Sequence, residues 1–203
     1  GDCEAGEGGR SCPYDCGPFR IGTPRFCEIC QLCDDERCHE TDGFMIDVGL
    51  SDEAERRIFV TSIGLAYSTP YREATVDVYV TTGGSYEGRE GSAMDWEKVA
   101  SVTVSKYNQK RGMRTAEIEL LHSFPVGVGE RRGLYLAASE DIVTFGERPY
   151  SVRNEHGVEL RSDRAVSGLF GDGISGFALN CEVGYVLDGG AAEASDGGPG
   201  DIS

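Results

Sequence analysis

Length, composition and charge narrow the classes to which this chain can belong. Its 203 residues suit one domain with an appendage, and its 29 glycines, about twice the usual share, indicate many turns. The formal net charge of −16 excludes nucleic-acid binding, because a phosphate backbone repels such a surface. No run reaches the ~18 apolar residues of a spanning helix, so we expect a chain that does not span a membrane.

Residues 1–41 form a cysteine-rich segment with Gly and Pro but few large apolar side chains. Its seven cysteines are Cys3, Cys12, Cys16, Cys27, Cys30, Cys33 and Cys38. A short segment that cannot build a core is usually stabilised by disulfides, so we predict a disulfide-stapled appendage. Since seven is odd, full oxidation requires one bridge to the eighth cysteine, Cys181. This interpretation predicts an oxidising compartment: secreted, cell-surface or an organelle lumen.

A metal or redox centre is the other interpretation of the stretch from Cys27 to Cys38. Its first three cysteines fit a ferredoxin run, but the fourth step is one residue too long and His39 replaces the expected Pro. A zinc site would draw on ligands of the same region: Cys12, Cys16, Cys27 and Cys30, or His39. No pair of well-separated C-x2-C knuckles selects that set. Disulfides explain more of the cysteines, and the metal alternatives stay open.

Residues 42–188 show strand patterns between turn signals. In 74–82, for example, Val76, Val78 and Val80 share one face. Strands are predicted at 44–50, 57–67, 74–82, 96–105, 115–121, 129–139, 142–146 and 177–187. Only "GSAMDWEKVA" suggests a short helical turn. Strands at intervals of 10–20 residues without helices predict an all-β fold: an antiparallel, jelly-roll-like β-sandwich joined to the N-terminal appendage.

Residues 189–203 form an acidic, Gly-rich C-terminal tail, "GGAAEASDGGPGDIS". A segment of this composition buries too little apolar surface to order by itself. We therefore expect the tail to contact another protein chain.

The chain carries no recognisable catalytic motif. His39, His122 and His156 form neither H-x-H nor H-E-x-x-H, and there is no nucleophile elbow or P-loop. We therefore predict no catalytic residue, no cofactor and no enzymatic activity.

One group of carboxylates lies at the junction of appendage and sandwich. Its members are Asp34, Asp35, Glu36, Glu40, Asp42 and Asp47. Calcium takes six to eight oxygen ligands, often from loops, and Asp42 and Asp47 are the candidates here. The spacing fits no EF-hand, and a solvated acidic junction is the alternative.

Four stretches resemble a known domain: "VDVYVTTGGSYEG", "DWEKVASVTVS", "FPVGVGERRGLYLAAS" and "GISGFALNCEVGYVL". They are similar to a β-sandwich domain that recurs in secreted and surface proteins of diatoms and related algae, over residues 43–188. Trp96 matches the Trp that leads one strand of that domain. The resemblance implies a sandwich in a secreted or luminal location and supplies no catalytic residue. The charged stretch "ERPYSVRNEHGVELRSD" departs from it.

Three functions remain after these observations. The first is a non-enzymatic binding or scaffolding module that works with other protein subunits, as an extrinsic or luminal part of a larger assembly. In such algae, a photosynthetic membrane complex facing the thylakoid lumen is one host. The second is a carbohydrate-binding module whose loop tyrosines stack on glycan: Tyr67, Tyr71, Tyr86 and Tyr107. The third is a metal or redox protein that uses Cys27–Cys38.

Overall fold

The structure is a computed structural model that describes residues 19–22, 39–68, 73–104, 113–146 and 149–189. Over these residues the chain forms fourteen β-strands and one short 3-10 turn, Ala93–Asp95. The strands form two antiparallel sheets with a common apolar core between them. The expected all-β sandwich is thereby confirmed.

We call one of the sheets the front sheet. Its strands are β3 (Gly43–Leu50), β5 (Ala74–Thr81), β6 (Trp96–Val104), β8 (Arg131–Ala138), β10 (Tyr150–Arg153), β11 (Val158–Val166) and β12 (Gly173–Ser175). They lie in the order β10–β11–β3–β8–β5–β6, with β12 paired to β11. A bulge shifts the β11–β3 register between Ser162 and Arg164.

The other sheet is the back sheet. Its strands are β1 (Phe19–Gly22), β2 (His39–Thr41), β4 (Ile58–Ser68), β7 (Met113–Val126), β9 (Val143–Gly146), β13 (Ala178–Leu179) and β14 (Cys181–Leu187). β14 lies between β1 and β4, and β7 pairs with β4. β9 pairs with the end of β4, with β13 and with β2. Most connections therefore cross from one sheet to the other.

The main core follows from period-2 alternation in both sheets. Val76, Val78 and Val80 of β5 are buried while the residues between them are half-buried, as the pattern predicts. Phe44 from the front sheet meets Phe145 from the back sheet with ring centroids 5.9 Å apart. Each large apolar side chain buried in this way contributes about 1.5–3 kcal/mol.

The outer face of the front sheet carries a second apolar layer, which the alternation does not predict. β3 is buried on both faces along its whole length. The layer packs around five buried residues: Met45, Tyr86, Trp96, Tyr135 and Val166. Loops 82–95 and 167–172 contribute Tyr86 and Phe170 to it. Both loops are therefore part of the folded body of the domain.

Each of the eight predicted runs contains a strand, and the predicted helical turn is the 3-10 turn. The strands β1, β2, β10, β11 and β12 were not predicted. The charged stretch that departs from the algal resemblance forms the hairpin β10–β11. Three of its charged side chains, Arg153, Glu159 and Arg161, lie on these two strands.

Two strands come from the segment predicted to be an appendage. β1 pairs with β14, and β2 pairs with β9, so both belong to the back sheet. Residues 1–18 and 23–38, which hold the seven N-terminal cysteines, lie outside the described residues. The tail from residue 190 onward does so too. The bridges among those cysteines and the tail contact stay predictions.

Candidate binding cleft

A cleft of about 680 Å³ opens at one end of the sandwich. It is lined by the β3–β4 connection, the β10–β11 turn and Leu187 at the end of β14. The first two segments are short and lie side by side, because the Ser51 N–H donates to the Gly157 carbonyl at 2.9 Å. The cleft is therefore built from parts of both sheets.

Asn154 organises the β10–β11 turn. Its side-chain oxygen accepts the N–H groups of His156 and Val158, both at 3.1 Å. Gly157 completes the turn at φ 76°, in the left-handed region that glycine adopts without strain. A Cβ on Gly157 would lie 3.2 Å from the Cβ of Ser51 and 3.3 Å from that of Ala54. The turn consequently seats closely against the β3–β4 connection.

His156, which lines the cleft, contacts the fully buried Tyr185. The Tyr185 hydroxyl accepts from Nδ2 of Asn154 at 2.6 Å and lies 2.7 Å from Nδ1 of His156. Because it already accepts a proton from Asn154, it is placed to donate its own to His156, which favours the Nε2–H tautomer. Burial raises the pKa of Tyr185 to about 12, so the hydroxyl stays protonated at neutral pH. The Phe19 ring packs on His156 with centroids 4.3 Å apart.

Charged side chains form the rim of the cleft. Arg153 contacts Glu159, with its Nε donating at 2.9 Å, and lies 3.5 Å from a carboxylate oxygen of Glu53. Glu53 is 87% exposed, so this second ion pair contributes little to stability. Glu55 and Arg56 complete the rim on the β3–β4 side. The rim thus presents both signs of charge to a ligand.

The structure does not bring the two calcium candidates together. Both carboxylate oxygens of Asp42 accept the Gly168 N–H, at 2.9 and 3.1 Å. Asp47 is 1% exposed and accepts from the Ser85 hydroxyl at 2.7 Å and from the Tyr86 N–H at 3.1 Å. Within the described ranges, no three His, Cys, Asp or Glu side chains are grouped as metal ligands. Asp42 and Asp47 instead anchor the two loops over the front sheet.

Two of the four tyrosines proposed to stack on glycan, Tyr86 and Tyr67, lie in the described part of the chain. Tyr86 is buried at 2% exposure and its hydroxyl bonds Asp163, so its predicted role in glycan stacking is wrong. The sequence places Tyr86 in a Gly-rich turn, and the fold then buries that turn. Tyr67 is half-buried in β4. Tyr71 and Tyr107 lie outside the described residues.

Cys181 has no exposed surface and is a free thiol among the described residues. The N-terminal cysteines predicted to pair with it lie outside those residues, so the bridge stays a prediction. Its Sγ lies 3.8 Å from the Tyr150 hydroxyl. Burial raises the pKa of the thiol to about 12, so it behaves as a small apolar group. In its position the side chain fills the core between β14 and the front sheet.

Comparison with known proteins does not assign the chain to a family. No protein-family model matches the sequence, and no curated protein matches it. Of the helical segments in the described part of the chain, none is long and apolar enough to cross a membrane.

Sequence reasoning missed the cleft because one of its walls, the β10–β11 turn, lies in a stretch where no strand was predicted. The signal was present: "YSV" and "VEL" alternate on either side of "RNEHG", which has Asn at the start of a turn and Gly at its end. The partnership of His156 with Tyr185 bridges 29 residues and could not be found from local pattern.

Proposed function

We propose that this protein is a non-enzymatic, jelly-roll-like binding module that holds a neighbouring protein subunit at the end cleft. It would act as an extrinsic or luminal part of a larger assembly. The observation that carries the proposal is the cleft itself, with its charged rim and its inner wall fixed by hydrogen bonds.

The cleft has the layout of a small protein-recognition surface. Leu187 and Ala54 offer apolar surface within it, while Glu53, Glu55 and Arg153 surround that surface with charge. An apolar centre with a polar rim is the usual anatomy of an interface. Rim charges of both signs select partners by complementarity and guide their approach.

The polar groups inside the cleft are held in place by one another, which supports binding over catalysis. The Tyr185 hydroxyl accepts from Asn154 and contacts Nδ1 of His156, so the His156 ring is held in one orientation. That ring also meets the Phe19 ring edge to face. A rigid wall of this kind preserves the shape that a partner recognises.

We propose an oxidising compartment on the evidence of the sequence. The cysteine-rich segment 23–38 joins β1 to β2, and both strands belong to the back sheet. Disulfides in that segment would stabilise the back sheet, because both ends of the segment are strands of that sheet. The algal resemblance supports a secreted protein or a luminal subunit, with a photosynthetic membrane complex as one host.

The proposal is tested by purifying the tagged protein from its source under mild solubilisation. The test variant is Glu53→Lys/Glu55→Lys, which reverses two exposed charges of the rim. The control is Glu97→Lys/Glu119→Lys, which makes the same charge change on exposed positions of β6 and β7. We expect the rim variant to lose a stoichiometric subunit that the wild type and the control retain.

Retention of that subunit by the rim variant, with wild-type melting behaviour in both variants, would show that the cleft is not the docking site. Turnover of a small molecule by the purified chain would contradict the non-enzymatic assignment.

A further inference from the structure

A second site lies on the front sheet, away from the cleft, where aromatic rings reach solvent. Tyr79 and Phe170 are half-buried and meet edge to face, with ring centroids 5.4 Å apart and ring planes at 68°. Beneath them lie the buried rings of Tyr135, 5.4 Å from Phe170, and Trp96, 6.2 Å from Phe170. We call Tyr79 and Phe170 the aromatic platform. Its rings are supported from below, so they present fixed surfaces.

The backbone of Phe170 is held in an unfavourable conformation. Its φ is 54°, and it is the one non-glycine residue with positive φ in the part of the chain that the structure describes. A bulky side chain is strained in this conformation. Asp42 accepts the Gly168 N–H, and the Tyr135 hydroxyl donates to the Gly168 carbonyl at 3.1 Å, so the loop is fixed from two sides. Such strain persists where the surrounding structure imposes it, and it accumulates at binding sites.

A carboxylate with nearby donors borders the platform. Asp77 lies two residues from Tyr79 on the same face of β5 and accepts from Lys98 Nζ at 2.7 Å and Ser101 Oγ at 2.6 Å. Burial alone would raise the pKa of Asp77, but hydrogen bonds from Lys98 and Ser101 outweigh it and lower that pKa. The group is therefore an anion at neutral pH. Its Oδ1 accepts from Lys98 and Ser101, while its Oδ2 has only a long contact from the Tyr79 hydroxyl at 3.4 Å and can accept a further donor.

We propose that the platform binds a neutral carbohydrate. A pyranose ring has an apolar C–H face, which would stack on one of the two rings while the other, at 68° to it, borders the sugar from the side. It also has hydroxyls at its edge, which would donate to Asp77 and accept from Lys98. Flat, rigid rings beside a charged acceptor and a charged donor match that combination of surfaces.

The surroundings favour an uncharged ligand over the alternatives. The net charge of −16 disfavours phosphate-bearing or strongly acidic ligands at an exposed site. The platform itself comprises only two half-buried rings, whereas a stable protein interface covers about 800 Å² on each partner. A sugar ring stacked on two aromatic side chains needs far less surface. This site is independent of the end cleft, and either proposal can fail alone.

The test uses fluorescence titration with neutral oligosaccharides. The chain has a single tryptophan, Trp96, so a ligand that stacks on Phe170 changes the one indole emission. The probes are the hexasaccharides of cellulose, laminarin, mannan and xylan, with calorimetry as the second readout. We expect saturable binding of at least one of them to the full chain.

Three variants locate the binding. Phe170→Gly removes the ring and relieves the strain, since glycine accepts positive φ. Tyr79→Leu keeps apolar bulk on Tyr135 but removes the flat ring. Leu121→Ala is the control, because Leu121 is a 72% exposed apolar residue on β7 of the back sheet. We expect at least about tenfold weaker binding, about 1.4 kcal/mol, in both platform variants and no change in the control.

Lack of binding by all four oligosaccharides overturns the proposal, as does binding that survives both platform variants when each melts as the wild type does. A co-purified protein that is lost with Phe170→Gly, in a chain that binds no sugar, would assign the platform to protein docking instead. The end-cleft variant Glu53→Lys/Glu55→Lys should bind sugar normally, which separates the failure of one proposal from that of the other.

Discussion

Replacing Asp47 with asparagine should stabilise the protein at neutral pH. Asp47 lies on the outer side of β3, beneath loop 82–95, at 1% exposure. Burial raises the pKa of this carboxyl, and the hydrogen bonds from Ser85 and Tyr86 only partly oppose that effect. The charged form therefore costs folding free energy that a neutral side chain of the same shape avoids. The introduced amide would still accept the Tyr86 N–H and could donate to the Ser85 hydroxyl.

The sign and the pH range follow from linkage. A carboxyl with a raised pKa in the folded state binds its proton more tightly there than in the unfolded chain. Its contribution to stability is complete below the unfolded pKa of about 3.9 and is lost as the pH rises through the folded pKa. Each unit of elevation is worth about 1.4 kcal/mol. The advantage of Asp47→Asn should thus be absent at about pH 3 and fully present at neutral pH.

Asp47→Ala supplies the contrast. It removes the charge together with both acceptors, so the Tyr86 N–H is left buried without a partner. That loss should cost about 1–3 kcal/mol at about pH 3. At neutral pH it is partly offset, because Asp47→Ala also removes the buried charge that Asp47→Asn removes. Urea unfolding of the wild type and both variants, followed by Trp96 fluorescence and circular dichroism from about pH 3 to about pH 8, gives the three stability curves.

The reasoning is refuted if Asp47→Asn is less stable than the wild type at neutral pH while the two are equal in acid. The carboxylate would then be stabilised by charge, as a metal ligand or an ion-pair partner would be. Added calcium should leave the unfolding midpoint of the wild type unchanged, since the Asp47 oxygens already accept protein donors.

Two further predictions concern buried contacts. Burial raises the pKa of the Cys181 thiol to about 12, so the thiol should resist iodoacetamide in the folded protein. In denaturant without reductant it should react. A crosslinked peptide that contains Cys181 in a non-reduced digest would contradict a buried free thiol. Gly157→Ala should lower stability more than Gly88→Ala. Both glycines have positive φ, at 76° and 80°, but only at Gly157 would the added Cβ contact neighbouring side chains, those of Ser51 and Ala54. Thermal unfolding of the pair checks this, and equal losses would show that backbone strain alone sets the cost.

The sequence predicted the sandwich because its core strands alternate cleanly. Val76, Val78 and Val80 face the core as their spacing requires. No strand was predicted for the hairpin β10–β11, whose charged residues include Arg153, Glu159 and Arg161. In the fold, Arg153 and Arg131 both contact Glu159, so the charges are cross-strand pairs on an outward face.

The local sequence pattern could not predict the apolar layer on the outer face of the front sheet. Alternation places Asp47 opposite the core, which is correct, and solvent was the natural expectation there. A loop 39 residues further along the chain covers it instead, through the Tyr86 N–H. Tyr86 and Phe170 show the same limit, because whether a turn is exposed depends on where it docks. The end cleft and the aromatic platform both depend on such docking.

The pairing of β1 with β14 has a consequence for synthesis. Arg20 and Glu182 bond each other across 162 residues of chain, and β14 lies between β1 and β4. A ribosome makes the chain from its N-terminus. β4 therefore lacks its neighbour β14 until nearly all the described strands have been synthesised. During that interval the edge of β4 is open to pairing with other chains, and the Cys181 position is not yet enclosed. The back sheet can therefore close only as a late, long-range event.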